Sequence, residues 1–180
     1  MNKTELLEYL KKLDRELSAP SILYIYGSAV CILLDAPDRM SLDIDVAAPY
    51  SSTDYASFAE AAERAGLPVD PDETFTQNHI EWVQALRLCL PQPNPETEII
   101  LWQGRNIIIK TGSPSDIVAS KLIRYDETDQ GDIQFLCANT MITYESVKDS
   151  VDRLPEAFRT DALVLDNLEN FKTDIQSWKN

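Results

Sequence analysis

The chain has 180 residues and carries 30 acidic against 16 basic side chains, a net charge of −14 at pH 7. This length suits a single domain over 1–180 with a proper core, and the ordinary apolar content points to a globular chain rather than a disordered one. No apolar run is long enough to span a membrane and no charged-then-apolar leader opens the chain, so a cytoplasmic setting without membrane partners is expected, and the lack of a basic stripe argues against a broad grip on nucleic acid.

Asn2, with Glu5 three residues on, marks a helix start. Leu6, Leu10, Leu13 and Leu17 continue it as a stripe that stops at Ala19-Pro20. Ile22 to Tyr26 reads as a strand, Ala29 to Leu34 as a short apolar helix, and Leu42 to Val46 as a second strand. Thr53 is the expected cap of a helix through Ala65, which Gly66 stops. Leu67 to Gln77 reads as a loop, and Ile80 to Leu90 contains a strand. Pro91, Pro93 and Pro95 form a stiff connector, followed by a hairpin from Glu98 to Lys110 around Gln103-Gly104.

Ser113 as N-cap, Pro114 at the first helical position and Asp116 in the first turn open another helix, bearing Ile117, Val118, Lys121 and Leu122. A helix from about Thr128 follows with Ile133, Phe135 and Leu136. From Thr143 the tail reads as two helices, one with Val147, Val151 and Leu154, the other with Leu165, Leu168, Phe171, Ile175 and Trp178. Strands first and helices last predict an α+β fold: a mixed sheet flanked by helices, with a helical C-terminal part.

Asp43 and Asp45 stand two apart in an apolar run, so on a strand they share one face, their Cα atoms ~6.6 Å apart. Two acids so placed can hold a hard cation; Mg²⁺ (or Mn²⁺) is the natural choice, because it binds through one or two carboxylates plus substrate phosphates. The alternative is a pair of acids on the solvent face of an edge strand. Ser41 shares Asp43's face and is a candidate for phosphate or ribose; Arg39 is a candidate partner of phosphate or of the acids. Gly27-Ser28 forms a strand-to-helix turn, a place where backbone N–H groups meet phosphate. Cys31, Cys89 and Cys137 read as buried, reduced thiols, without metal spacing. His79, the only histidine, cannot make a multi-histidine site and reads as part of a turn. Trp82, Trp102 and Trp178 read as core.

Gly27-Ser28 followed by Arg39-Met40-Ser41-Leu42-Asp43-Ile44-Asp45 resembles the signature of the nucleotidyltransferase superfamily, Gly-Ser and then Asp-x-Asp on the next strand. The form with Arg and Ser ahead of the acids looks like the minimal, AbiEii-type members, several of them toxins of toxin–antitoxin pairs. Ser113 to Leu122, Arg124 and Asp129-Gln130-Gly131-Asp132-Ile133 are similar to the downstream Lys-Leu, Arg and Asp-x-x-Asp-Ile block of those proteins. The likeness covers about residues 20–140, a nucleotidyltransferase-like core, leaving 143–180 as a helical tail.

The resemblance implies a metal-dependent transfer of a nucleotide from an NTP to an RNA or protein hydroxyl. Asp43, Asp45 and Lys121 would be catalytic, the two aspartates as metal ligands. Gly27, Ser28, Arg39, Ser41 and Arg124 would bind the nucleotide, with Asp129 and Asp132 in support, one orienting Lys121 or Arg124 and the other capping a helix. Many such enzymes use a third carboxylate, for which Glu81 and Glu98 are the candidates. It also implies an antitoxin-like partner, and the strong negative charge suits one with a basic face. The rival readings are a catalytically silent protein of this fold that binds or regulates, and a scaffold with no nucleotide site.

Overall fold

A computed structural model describes residues 1–178. The protein is α+β: a five-stranded mixed sheet with helices beside it and a run of helices at the C-terminal end. The chain forms two compact units. One comprises Met1–Arg87 and Ile99–Thr111; the other comprises Leu88–Glu98 and the chain from Gly112 on.

The first unit opens with α1 (Lys3–Glu16), whose N-terminus is closed by the expected reciprocal pair. Asn2 Oδ1 accepts from the Glu5 amide at 3.0 Å, and Glu5 Oε2 accepts from the Asn2 amide at 2.8 Å. Leu6, Leu10 and Leu13 are buried on one face, and α1 packs on α3 (Tyr55–Ala65). Asp54, not Thr53, caps α3: its carboxylate accepts from the Ser57 amide, whereas the Thr53 hydroxyl is paired with Ser21 Oγ at 2.8 Å. The helix starts one residue later than expected because the hydroxyl is taken up by the neighbouring strand. Gly66 stops α3 in the left-handed conformation at φ +85°, as its position predicts.

The sheet runs β3-β2-β1-β5-β4, with β1 Ser21–Tyr26, β2 Asp43–Ala47, β3 His79–Val83, β4 Ile99–Gln103 and β5 Ile107–Thr111. β1 pairs antiparallel with β2 and parallel with β5, β2 pairs parallel with β3, and β4 with β5 makes the expected hairpin. The short helix α2 (Ser28–Leu33) links β1 to β2 and is buried almost throughout. β2 is therefore an interior strand, not an edge. Ile44 and Val46 are buried on one face, and Asp43 and Asp45 alternate to the other, less buried face.

One side chain ties α1 to the hairpin turn. Asp14 Oδ1 accepts from the Asn106 and Ile107 amides at 2.7 and 3.1 Å, and Oδ2 accepts from the Arg105 amide at 3.0 Å. Gly104 lies so close to this carboxylate that a Cβ there would collide with it.

The second unit is helical: α4 (Pro114–Lys121), α5 (Glu127–Asn139), α6 (Tyr144–Asp152), the single-turn α7 (Glu156–Arg159) and α8 (Ala162–Trp178). Ser113 and Asp116 form a capping box on α4, with Pro114 at its first position. The tail from Thr143 holds three helices rather than two, because Pro155 ends the first run and starts a separate turn. On α8, Leu165 is 44% exposed while Val164 and Asn167 face inward, so the expected stripe is rotated by one residue at its start. Of the three cysteines, Cys31 and Cys89 are buried and Cys137 is half-buried, none of them in a disulfide. Trp82, Trp102 and Trp178 are half-buried rather than core; Trp82 lies against the Phe58 and Tyr55 rings at 5.3 and 5.4 Å.

Candidate functional site

Gly27 sits between β1 and α2 at φ +71°, a conformation that side-chain-bearing residues rarely adopt. A Cβ at this position would collide with Asp45 Oδ2, and the Asp45 carboxyl carbon would be 3.2 Å away. Glycine is thus required twice here, for its backbone angle and for the close approach of an aspartate. That approach follows from the sheet: Tyr26, just before Gly27, is the register partner of Asp45. α2 has only six residues, so the geometry at this turn is one of close packing rather than of a strong helix terminus.

The loop between α2 and β2 supplies two further side chains. The Ser41 hydroxyl donates to Asp43 Oδ1 at 2.6 Å. The Arg39 guanidinium donates through Nη2 to Ser28 Oγ and through Nη1 to the Met40 carbonyl at 2.8 Å. Gly27, Ser28, Arg39, Ser41, Asp43 and Asp45 are thereby connected through β2, the loop before it and the β1–α2 turn within the first unit.

β3 extends this polar face. The parallel register places Asp43 beside His79 and Asp45 beside Glu81, with Ile44 and Ile80 paired on the buried face. One donor atom each from Asp43, His79 and Glu81 lie within 4.8 Å of one another. His79 Nε2 stands 3.9 Å from Glu81 Oε1, and Arg87, a largely exposed side chain, approaches the other Glu81 oxygen at 4.0 Å. His79 and Glu81 also line an open cleft of about 590 Å³ together with Asp70, Asp72, Glu73 and Arg87. His79 is therefore the first residue of a strand and not part of a turn. The sequence signal was present: His79-Ile80-Glu81 repeats the polar-apolar-polar alternation of Asp43-Ile44-Asp45, and parallel pairing brings the two segments side by side. Of the two acids considered for a third carboxylate, Glu81 joins Asp43, whereas Glu98 belongs to the second unit.

The downstream block forms a tight ionic group within the second unit. Lys121 Nζ donates to Asp129 Oδ1 at 3.0 Å and to Asp132 Oδ2 at 2.8 Å. Arg124 grips Asp129 with two parallel hydrogen bonds, Nε to Oδ2 at 2.8 Å and Nη2 to Oδ1 at 2.9 Å. Lys121, Asp129 and Asp132 are buried, at 5%, 2% and 3% exposure, whereas the Arg124 side chain is 62% exposed. Burial pushes the Asp129 carboxyl up, but the Arg124 and Lys121 contacts outweigh it and hold the group below its ordinary value. Both aspartates thus engage Lys121, and neither caps α5; the cap is Asp126, which accepts from the Asp129 amide at 2.9 Å. Lys121 is a buried lysine, its ammonium drawn inward by two carboxylates.

Among the described residues, no helix is long and apolar enough to cross a membrane. Compared with family models, curated proteins and solved structures, the chain matches none.

Proposed function

We propose that the protein is a metal-dependent nucleotidyltransferase of the minimal, AbiEii-like kind, working through the polar face of its first unit. The observation that carries this reading is the packing of Gly27 directly against the Asp45 carboxylate, with Asp43 on the same strand face and Glu81 in register on the next strand. The Gly-Ser turn and the Asp-x-Asp strand are then one structural device rather than two separate motifs.

In this proposal Asp43 and Asp45 hold Mg²⁺ (or Mn²⁺) together with the phosphates of an NTP. When bound, the ion neutralises phosphate charge and supports an in-line displacement. An acceptor hydroxyl oxygen bonds to the α-phosphorus, the bond from that phosphorus to the bridging oxygen breaks, and pyrophosphate leaves. The hydroxyl proton passes to a carboxylate, for which Glu81 has the exposed position at the cleft. Arg39, already at Ser28, and the Ser41 hydroxyl are the polar groups for the phosphates and ribose. The acids lining the cleft and the net charge of −14 favour a protein hydroxyl over RNA as acceptor, since a polyanion would be repelled. The same charge suits an antitoxin-like partner with a basic face. Lys121 and Arg124 are placed by the resemblance among the catalytic and nucleotide-binding residues; Lys121 is buried against Asp129 and Asp132 and the exposed Arg124 is held on Asp129, so the proposal depends on the first unit's residues alone.

Incubation with each α-labelled NTP, Mg²⁺, and either total cell protein or total RNA tests the reading. Transfer of label that disappears in Asp43→Asn and Asp45→Asn is expected, with protein as the better acceptor. Mg²⁺-dependent nucleotide binding without transfer in any mixture would favour a silent regulatory protein of the same fold, and no nucleotide binding at all would end both.

A further inference from the structure

We propose that Asp43, His79 and Glu81 form a site for a first-row divalent transition ion, selective against Mg²⁺, that fills without nucleotide. The site shares Asp43 and Glu81 with the function proposed above, but it stands on the imidazole and does not need that reading to hold.

The argument starts from the histidine's two nitrogens. Nδ1 lies 2.9 Å from the Gln77 carbonyl oxygen. A carbonyl only accepts, so Nδ1 carries a proton and Nε2 is the nitrogen left for a metal ion. This is the arrangement typical of a metal-bound histidine, whose second nitrogen donates to a backbone carbonyl and so sets the tautomer and the ring's direction. The Phe75 ring meets the imidazole edge-on at a centroid distance of 6.0 Å and restrains its plane further.

Nε2 then faces a carboxylate. Its separation of 3.9 Å from Glu81 Oε1 is too long for a hydrogen bond. That gap is the span two ligand atoms keep when they share one cation. Donors sharing one ion at bonds of about 2.0–2.2 Å stand roughly 3–4 Å apart, and the Asp43, His79 and Glu81 donor atoms already converge within 4.8 Å. Both side chains of β3 open on the acidic cleft, which gives a cation a path of entry. The ligands come from neighbouring parallel strands in fixed register, so the set is held by the sheet rather than by a loop.

The donor set decides which ion. Mg²⁺ takes oxygen ligands and keeps much of its water, whereas imidazole suits the transition ions and two carboxylates beside it suit Mn²⁺ and Zn²⁺. A purely acidic face would not discriminate in this way; the one histidine of the chain is what does.

The experiment uses the full chain without nucleotide and Mn²⁺ as the probe. Binding is read from loss of the free-ion signal in electron paramagnetic resonance, and the ligand is read from ¹⁴N modulation in the spin echo. The expected result is Mn²⁺ binding with imidazole ¹⁴N modulation that excess Mg²⁺ does not displace. His79→Gln should weaken Mn²⁺ binding about ten- to hundredfold, with no matching change for Mg²⁺. Asp45→Asn should keep the ¹⁴N-modulated Mn²⁺ site while losing nucleotide-dependent Mg²⁺ binding, which separates failure of this inference from failure of the nucleotidyltransferase reading. Absence of ¹⁴N modulation in the wild-type protein, or equal competition by Mg²⁺, overturns the site whatever the variants do.

Discussion

Gly27 shows how one missing methyl group organises a site. An alanine would have to hold φ near +71° and would push into the Asp45 carboxylate. Holding a residue with a Cβ at φ +71°, ψ −152°, a region almost confined to glycine, costs about 1–3 kcal/mol, and the collision adds to it. Gly27→Ala should lower the melting temperature and abolish Mg²⁺-dependent stabilisation, because Asp45 must move. A mutant that melts and responds to Mg²⁺ as wild type does would show that the close approach is unimportant. Lys121 is the opposite case, a charge that is costly to remove. Lys121→Ala leaves Asp129 and Asp132 buried without its ammonium, which should destabilise the protein by about 3–5 kcal/mol in denaturant unfolding. A near-neutral result would contradict the burial described above. Asp129 also sets a pH dependence. Its folded pKa lies below the unfolded value of about 3.9, so its contribution is complete above that pH and is lost as pH falls through the lower folded value. The stability gap between wild type and Asp129→Asn should therefore be widest above about pH 4 and narrow on acidification. The Cys89 thiol, pushed up to about 12 by burial and by the Asp161 charge, should stay unreactive toward thiol reagents at neutral pH while the chain is folded.

Among the elements, the β4–β5 hairpin depends on a helix distant in sequence. Its turn presents the amides of Arg105, Asn106 and Ile107, and all three find their acceptor in the one Asp14 carboxylate of α1. Asp14→Ala removes that acceptor while leaving the helix stripe intact. A loss of about 2–3 kcal/mol is expected, with amide exchange accelerated first at residues 105–107. Exchange rates unchanged at the turn would show that solvent replaces the carboxylate at no cost. Helix starts were well marked in the sequence: Asn2 with Glu5, and Ser113 with Asp116, are reciprocal pairs of near neighbours, and both form. The start of α3 was displaced by one residue because the Thr53 hydroxyl pairs with Ser21, on a strand far from it in sequence. No local pattern reports such a partner.

For the whole molecule, the dominant electrostatic fact is the charge of −14. Any cation will relieve some of it, so metal stabilisation has to be separated from screening. Mg²⁺ or Mn²⁺ at about 100 times its Kd should add roughly 2.7 kcal/mol if it binds the folded state alone. With an NTP present, thermal melts should rise with either ion beyond the rise given by NaCl of equal ionic strength, and the excess should vanish in Asp43→Asn. An equal excess in that variant would assign the effect to the acidic surface at large. The division into two compact units places the Asp-x-Asp strand in one and the Lys121 block in the other. The two halves of the sequence resemblance are accordingly separate structural features, each with its own test.

What the sequence determined by itself is whatever depends on neighbours along the chain. Capping pairs, the leucine stripe of α1, the glycine stop at Gly66, the alternation of β2 and the order of strands before helices were all legible, and with them the α+β class. These features are set by backbone conformation and side-chain direction over a few residues, which composition and spacing report directly. The face shared by Asp43, Asp45, His79 and Glu81 is of another kind. It required β2 to lie inside the sheet, parallel to β3, in one particular register; a shift of a single residue would have turned His79 and Glu81 to the buried side. Likewise the resemblance offered Asp129 or Asp132 as a partner of Lys121 or Arg124, but that both engage Lys121, in an interior where each charge needs the other, follows only from how their helices come together. Register and burial arise from packing between segments far apart in sequence, and only the tertiary structure decides them.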